Sequence, residues 1–276
     1  MITGAIVLYK TDAKMVTEVI HSFFKEDDNS RILYLVDNSA TNELQYLANL
    51  YPNRIIYIFG HGNIGYGAGN NIAIRKAIEN KTDYHVVLNP DLKFEGDVLP
   101  KLVQFMESDS HIGLCIPDII DYGKDTRRYC ARLLPMPQNG LFRRFLGKTK
   151  LGKKLDNQYC LKYADFTKVI NVPYISGCFM FFRSSVLIDI GLFDERFFMY
   201  YEDVDLSRRI HKKYKTCFYP NAKVMHIANQ ESYKSFKMLK IMIKSAVQYY
   251  HKYGWFFDKE GKQMNKKCLE ILRMID

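Results

Sequence analysis

The chain has 276 residues, of which 47% are hydrophobic and 25% charged, the balance of a globular protein with a full core. At roughly 150 residues per domain that length allows one large domain or two small ones. The composition excludes disordered, collagen-like and disulfide-scaffold classes. Forty Lys+Arg against thirty Asp+Glu give +10, and the excess is concentrated. Residues 124–154 hold ten basic side chains and one acidic, a local +9, and residues 234–267 hold nine and two, a local +7. Subtracting both from +10 leaves −6 on the remainder. An acidic body with two basic regions points to an anionic surface partner.

In chain order, residues 5–9 form a short apolar run, the first strand. Residues 14–24 follow with helical spacing, and 31–36 form a second strand closed by Asp37-Asn38-Ser39. A helix is predicted over 42–50 and a third strand over 54–59. A Gly-rich turn, His61 to Asn70, leads into a helix over 71–79. Residues 84–88 are a fourth strand closed by Asn89-Pro90-Asp91; 97–107 read as a helix and 113–116 as a strand. From 118 to 170 the pattern weakens into a basic, Pro- and Gly-containing insertion. Order returns with a strand and turn over 172–182 and a helix over 184–190. An aromatic loop over 191–201 precedes a helix over 202–213. Two strands, 216–219 and 222–227, and a helical tail from 233 complete the reading. The alternation predicts an α/β fold with a mainly parallel sheet flanked by helices. The expected division is a main domain over 1–230, with the insertion at 118–170, and a helical tail over 231–276. In such sheets ligands sit beyond the carboxyl ends of the strands, where Tyr9, Asp37 and Asp91 lie.

The N-terminal apolar stretch is short and has no basic n-region, so it does not read as a signal peptide. No run reaches the roughly 20 apolar residues of a spanning helix. The six cysteines show no metal or redox spacing and read as free thiols of a reducing compartment.

Several residue groups can carry chemistry. Asp37 at a strand end can accept hydrogen bonds from a base or ribose, or simply close an Asx turn. Five glycines between Gly60 and Gly69, just before a helix N-terminus, suit a diphosphate neighbourhood. Asp91 can hold a divalent cation, or Asn89-Pro90-Asp91 can be a plain turn. Glu202, Asp203 and Asp205 open a helix, where the macrodipole favours acidic residues and where a general base would be well placed. Arg208 and Arg209 can pair with these carboxylates. His226 ends a strand and suits a metal alongside Asp91.

These pieces occur in one order: a first strand ending at Tyr9, Asp37-Asn38-Ser39, Asn63-Ile-Gly-Tyr-Gly-Ala-Gly-Asn-Asn71, Asn89-Pro90-Asp91, Ser176-Gly-Cys-Phe-Met180, Gly191-Leu-Phe-Asp-Glu-Arg-Phe-Phe-Met-Tyr-Tyr-Glu-Asp-Val-Asp-Leu206 and His226. The order resembles glycosyltransferase family 2, the inverting enzymes of GT-A (Rossmann-like) fold, and within it the bacterial rhamnosyltransferases of surface polysaccharide assembly. The resemblance spans about residues 3–230. It implies a nucleotide-sugar site at Tyr9, Asp37, Asn38, Gly65, Tyr66, Gly67, Asn70, Asn89, Asp91 and Gly177. It implies catalysis by Asp203 with Glu202, and Mn²⁺ or Mg²⁺ at Asp91 and His226. Asn89 stands where the family's D-x-D motif has its first Asp, which removes one charge. The implied reaction moves a sugar, rhamnose from dTDP-rhamnose, onto a hydroxyl of a lipid-linked saccharide in O-antigen or capsule synthesis. UDP-hexose and UDP-galactofuranose are alternative donors, and a non-catalytic sugar-nucleotide module is the alternative of another class.

The basic stretches read as solvated faces or as contacts to an anionic leaflet. Phe142, Phe145 and Leu146 beside Arg143 and Arg144 assign the membrane contact to 124–154. In the tail, Leu239, Ile243, Val247 and Tyr250 form an apolar side, with Lys237, Lys240 and Lys244 beside it; that side is expected to pack on the enzyme body. The expected location is cytoplasmic, peripheral on the inner face of the bacterial plasma membrane, with a polyprenyl-diphosphate-linked acceptor. Nucleic acid is not expected as a partner, because the aromatics gather around the acidic 202–205 cluster, a poor surface for phosphates.

Overall fold

A computed structural model describes residues 1–26, 29–140, 149–227 and 236–275. The strands are β1 (Ile2–Leu8), β2 (Arg31–Asp37), β3 (Ile55–Ile58), β4 (Tyr84–Leu88), β5 (Leu92–Phe94), β6 (Ile112–Asp121), β7 (Thr126–Arg127), β8 (Ala131–Arg132), β9 (Ile170–Asn171), β10 (Tyr174–Ile175), β11 (Phe179–Arg183) and β12 (Lys215–His226). The helices are α1 (Ala13–Phe24), α2 (Tyr66–Glu79), α3 (Val98–Glu107), α4 (Pro137–Gly140), α5 (Lys150–Tyr159), α6 (Ser184–Ile190), α7 (Glu202–His211), α8 (Phe236–Tyr253) and α9 (Lys259–Ile275).

The main sheet runs β3-β2-β1-β4-β11-β6-β12-β5. Its first half, β3 to β4, is parallel. Those strands are nearly continuous apolar runs because helices cover both faces; β1 is buried along its whole length. The chain leaves β1 for β2 on one side and returns to β4 on the other, so a crevice opens beyond the carboxyl ends of β1 and β4. The second half is mixed. β11 inserts antiparallel between β4 and β6, pairing Phe179 with Leu88. That reversal puts the start of β11 beside the end of β4. β12 runs parallel to β6 and antiparallel to β5, pairing His226 with Leu92.

Several elements differ from their sequence reading. Residues 45–50 form a 3₁₀ helix in place of an α-helix. Helix α2 begins at Tyr66, five residues before the predicted 71, so Gly67 and Gly69 lie inside it. The strands predicted over 216–219 and 222–227 are one strand, with a register shift between Tyr219 and Lys223. The short β5 has no counterpart in the sequence reading, and the helical tail expected over 231–276 is two helices, α8 and α9.

One large apolar cluster unites both sheet halves with Leu133 and Leu134 from the basic insertion and with Tyr249, Tyr250, Cys268 and Leu272 from the tail. The segment of Phe142, Phe145 and Leu146 lies outside the described residues. All six cysteines are buried and free. No described helix is both long and apolar enough to cross a membrane.

Candidate active site

The carboxyl edge of the parallel half presents the first group of predicted residues. Tyr9 follows β1 and is 46% exposed. Asp37 ends β2 opposite Leu8 and is buried. Its Oδ1 accepts from the Ser39 amide at 2.8 Å, closing the Asx turn, and its Oδ2 accepts from the Tyr57 hydroxyl at 2.5 Å. Asn38 points at the Gly-rich turn. Its Nδ2 donates to the Gly65 carbonyl at 3.0 Å, and its Oδ1 lies 2.8 Å from His61 Nε2. The side chain therefore fixes the turn that opens α2.

Gly65 caps α2 with φ of 96°, and a Cβ there would meet the Phe198 carbonyl oxygen at 2.3 Å. Only glycine fits both the left-handed backbone and that approach. The next amide, of Tyr66, donates to the same Phe198 carbonyl at 2.8 Å. Gly67 lets the start of α7 come close: a Cβ on it would touch Glu202 Cβ at 3.3 Å. Asn70 is buried; its Nδ2 donates to the Tyr66 carbonyl, and its Oδ1 has no partner.

Tyr66 joins the two sides of the crevice. Its hydroxyl lies 3.0 Å from Asn89 Oδ1 and 2.7 Å from the Gly177 carbonyl oxygen, so its single proton serves one acceptor at a time. The Asn89 amide in turn donates to the Cys178 carbonyl at 2.9 Å. The Gly177 amide donates to Asp203 Oδ2 at 2.8 Å. The Asn89-Pro90-Asp91 turn and Asp203 are thus both tied to the same backbone segment, Gly177-Cys178.

Asp203 and Glu202 are neighbours in the first turn of α7, and their surroundings separate their roles. Asp203 Oδ2 accepts from the Gly177 amide and from the Tyr174 hydroxyl at 3.0 Å; Oδ1 accepts from the Val204 amide at 2.8 Å. Burial raises its pKa, while those three donors and the Arg132 charge oppose the rise. Glu202 is buried with Oε2 unpartnered. Burial, then the adjacent Asp203 charge, push its pKa well above the ordinary value. Two adjacent carboxylates in such a site cannot both ionise cheaply. The donors favour the charge on Asp203, and burial without a donor favours the proton on Glu202. Asp203 keeps 9% exposure, against 4% for Glu202.

The backbone before this helix is strained. Tyr200 and Tyr201 both have φ of 67°, a costly conformation for a bulky residue that persists only where its surroundings enforce it. Here the surroundings are explicit. Asn71 exchanges two hydrogen bonds with the Phe193 backbone. Arg209 donates to the Leu192 carbonyl at 2.6 Å, and Ser245 donates to the Met199 carbonyl at 2.8 Å. Asp205 is a tie to the tail: its carboxylate accepts from Arg209, Lys252 and Tyr253. Arg208 does not pair with the 202–205 carboxylates; it is bidentate to Asp258 at 2.6 Å.

Asp91 and His226, predicted as a metal pair, come together because β12 ends against β5. His226 Nδ1 lies 3.2 Å from Asp91 Oδ2. Asp91 Oδ1 is buried without a hydrogen-bond partner, and burial pushes the carboxyl up to about 6. An orphaned carboxylate oxygen beside an imidazole fits a divalent cation. Among the described residues no third His, Cys, Asp or Glu completes a cage, so the remaining ligands would have to come from substrate and water.

Sequence reasoning missed Tyr174, Arg132, Asn71 and Tyr57. Arg132 pairs across β8–β10 with Tyr174 and stacks its guanidinium over that ring at 5.8 Å. Asn71 stood in the quoted motif without a role. Tyr174 gave no local signal, because it meets Asp203 only through the fold.

A sequence model described as "Glycosyl transferase family 2" matches residues 5–191. The chain belongs to glycosyl transferase family 2. This glycosyltransferase is 27% identical over 242 residues to rhamnosyltransferase WbbL of Escherichia coli strain K12, covering 85% of this chain and 87% of that one. It is 29% identical over 203 residues to the N-acetylglucosaminyl-diphospho-decaprenol L-rhamnosyltransferase of Mycobacterium tuberculosis, covering 70% and 65%. The crystal structure of GalNAc-T7 with UDP, GalNAc and Mn²⁺ superposes with a TM-score of 0.64 at 17% identity, over 94% of this chain and 49% of that chain. That likeness establishes the GT-A-type fold of this family 2 glycosyltransferase.

Proposed function

We propose that this enzyme transfers L-rhamnose from dTDP-rhamnose, with inversion, to a hydroxyl of a polyprenyl-diphosphate-linked saccharide in bacterial surface polysaccharide synthesis. The observation that carries inversion is the asymmetry of the pair: Asp203 is held by three donors, while Glu202 Oε2 is buried without one. Inversion needs one base and no carboxylate nucleophile. The names of the WbbL and mycobacterial relatives support rhamnose, and the mycobacterial name supports a lipid diphosphate acceptor.

Tyr9 and Asp37 take the nucleoside at the carboxyl ends of β1 and β2. Gly65 and Gly67, packed against Phe198 and Glu202, seat the start of α2 so that Tyr66 and Asn89 stand on the donor side. Asp91 and His226 would hold the divalent cation, which when bound supplies positive charge to the diphosphate. Asp203 takes the proton of the acceptor hydroxyl as its oxygen attacks the anomeric carbon from the face opposite the diphosphate, the bond from that carbon to the diphosphate oxygen breaks, and dTDP leaves with the electron pair. Tyr174 and the Gly177 amide hold that carboxylate in place, and the ordered 191–201 loop keeps its helix end fixed. The rest of the rate comes from positioning and preorganised charge.

The test is a donor panel of dTDP-rhamnose, UDP-hexoses and UDP-galactofuranose with a polyprenyl-diphosphate N-acetylglucosamine acceptor, read by mass spectrometry and by the anomeric coupling of the product. Rhamnosyl transfer with inverted configuration is expected. Transfer of another sugar alone removes the donor assignment, and a retained configuration removes Asp203 as base.

A further inference from the structure

Helix α8 is divided. Its second half is part of the core: Ser245, Ala246, Tyr249 and Tyr250 are buried. Leu239 and Ile243 lie seven residues before Ala246 and Tyr250 and so share the same face. Yet they are only half-buried and, among the described residues, are not part of the packed cluster. Phe236, at the helix start, is 71% exposed. The apolar face therefore continues past the enzyme body that covers it farther along. This differs from the expectation that the whole side packs on the body.

The opposite face is basic. Lys237, Lys240 and Lys244 are exposed, and among the described residues no carboxylate pairs with them. Lys240 Nζ sits 4.9 Å over the Phe236 ring, its stem along the aromatic face. No Asp or Glu occurs from Phe236 to Phe257. Nine residues of helix span about 14 Å, too short to cross a bilayer. A half-covered apolar stripe with a lysine-only polar face is the composition of a helix lying in a lipid interface, its lysines among the headgroups.

We propose that the first turns of α8, from Phe236 to Lys244, bind in the plane of an anionic lipid surface, and so hold the catalytic crevice at the membrane. The proposal deepens the lipid-linked acceptor reading and rests on it for the purpose of the contact. It places the membrane contact in the tail.

The experiment is sedimentation of the full chain with vesicles of phosphatidylethanolamine containing about one-third phosphatidylglycerol, against vesicles of phosphatidylcholine alone. The wild type is expected to bind the anionic vesicles and to be released by salt. At about fivefold per lysine, the combined Lys237→Gln, Lys240→Gln and Lys244→Gln variant loses roughly a hundredfold in binding. Phe236→Ser with Leu239→Ser loses binding at every salt concentration. Ile188→Ser, an exposed apolar site on α6, binds as the wild type does. Thermal unfolding and nucleotide-sugar binding, both unchanged, show that the variants fold. Wild-type indifference to anionic lipid, variants that bind as tightly as wild type, or an equal loss in Ile188→Ser each overturn the proposal. An enzyme that binds vesicles through α8 but glycosylates only water-soluble saccharides removes the acceptor reading and leaves this contact standing.

Discussion

In the described part of the 124–154 stretch the guanidinium groups turn inward. Arg127 is bidentate to the buried Asp118, Arg128 pairs with Asp121, and Arg132 donates to the Tyr129 carbonyl while lying over Tyr174 and Tyr159. In the first turns of α8 the ammonium groups of Lys237, Lys240 and Lys244 stay at the surface. The two stretches have similar net charge, but charge counted along a sequence does not say which way it faces. Side-chain chemistry does. The planar guanidinium is weakly hydrated and forks onto carboxylates and rings, so it survives burial; the ammonium is strongly hydrated and stays outside. The described arginines of the first stretch are thereby built into the protein body, and the lysine-rich helix turns are a surface for something else. The tail confirms the rule from within, since its region also receives one inward arginine, Arg208, bound to Asp258.

That buried pair offers the largest effect outside the reaction itself. Arg208 and Asp258 side chains are 3% and 6% exposed. Asp258→Ala leaves the guanidinium with the partly exposed Glu260 as its carboxylate, beside the Tyr249 hydroxyl and the Tyr253 ring, and is expected to cost about 3–5 kcal/mol in denaturant unfolding. A loss below about 1 kcal/mol, the scale of a surface pair, would break the distinction between inward arginines and outward lysines.

A smaller effect sharpens the inward side. In the proposed mechanism the base works only when ionised, so transfer is expected to fall as pH drops through the Asp203 pKa, which burial raises. Tyr174→Phe removes a donor to the charged form and raises that pKa further. The acidic limb of kcat/KM is expected to move up by about one pH unit. A purely structural Tyr174 would lower activity and leave the limb where it was. The smallest effect is on the outward lysines of α5: changing Lys150, Lys153 and Lys154 together to Gln is expected to shift stability by no more than about 0.5 kcal/mol per site.

The parallel half of the fold was legible because each element repeats one local rule. Residues 5–9, 31–36 and 84–88 are short apolar runs, the last two closed by Asp37-Asn38 and Asn89-Pro90, and such runs are buried strands in any α/β layer. Helix α2 was misplaced because glycines ordinarily mark a turn; here they are helical residues made small by the approach of Phe193, Glu202 and Val7. The site residues that stand in motifs were legible for the same local reason. Tyr174 was not, because its contact with Asp203 depends on β10 pairing with β8 and on α7 packing across it. Glu202 and Asp203 were equally acidic in the sequence; only burial and three donors distinguish acid from base.

The central claim is that Asp91 and Asp203 serve one crevice from its two sides, the first toward the donor diphosphate and the second toward the acceptor hydroxyl. Calorimetric titration of dTDP-rhamnose with Mn²⁺, run beside the transfer assay on Asp91→Ala and Asp203→Asn, tests it directly. The account predicts that Asp91→Ala weakens donor and cation binding together. It predicts that Asp203→Asn binds donor as the wild type does and loses about 10²–10⁴ in transfer rate. Unimpaired transfer by Asp203→Asn, or unchanged donor and cation binding by Asp91→Ala, would contradict it.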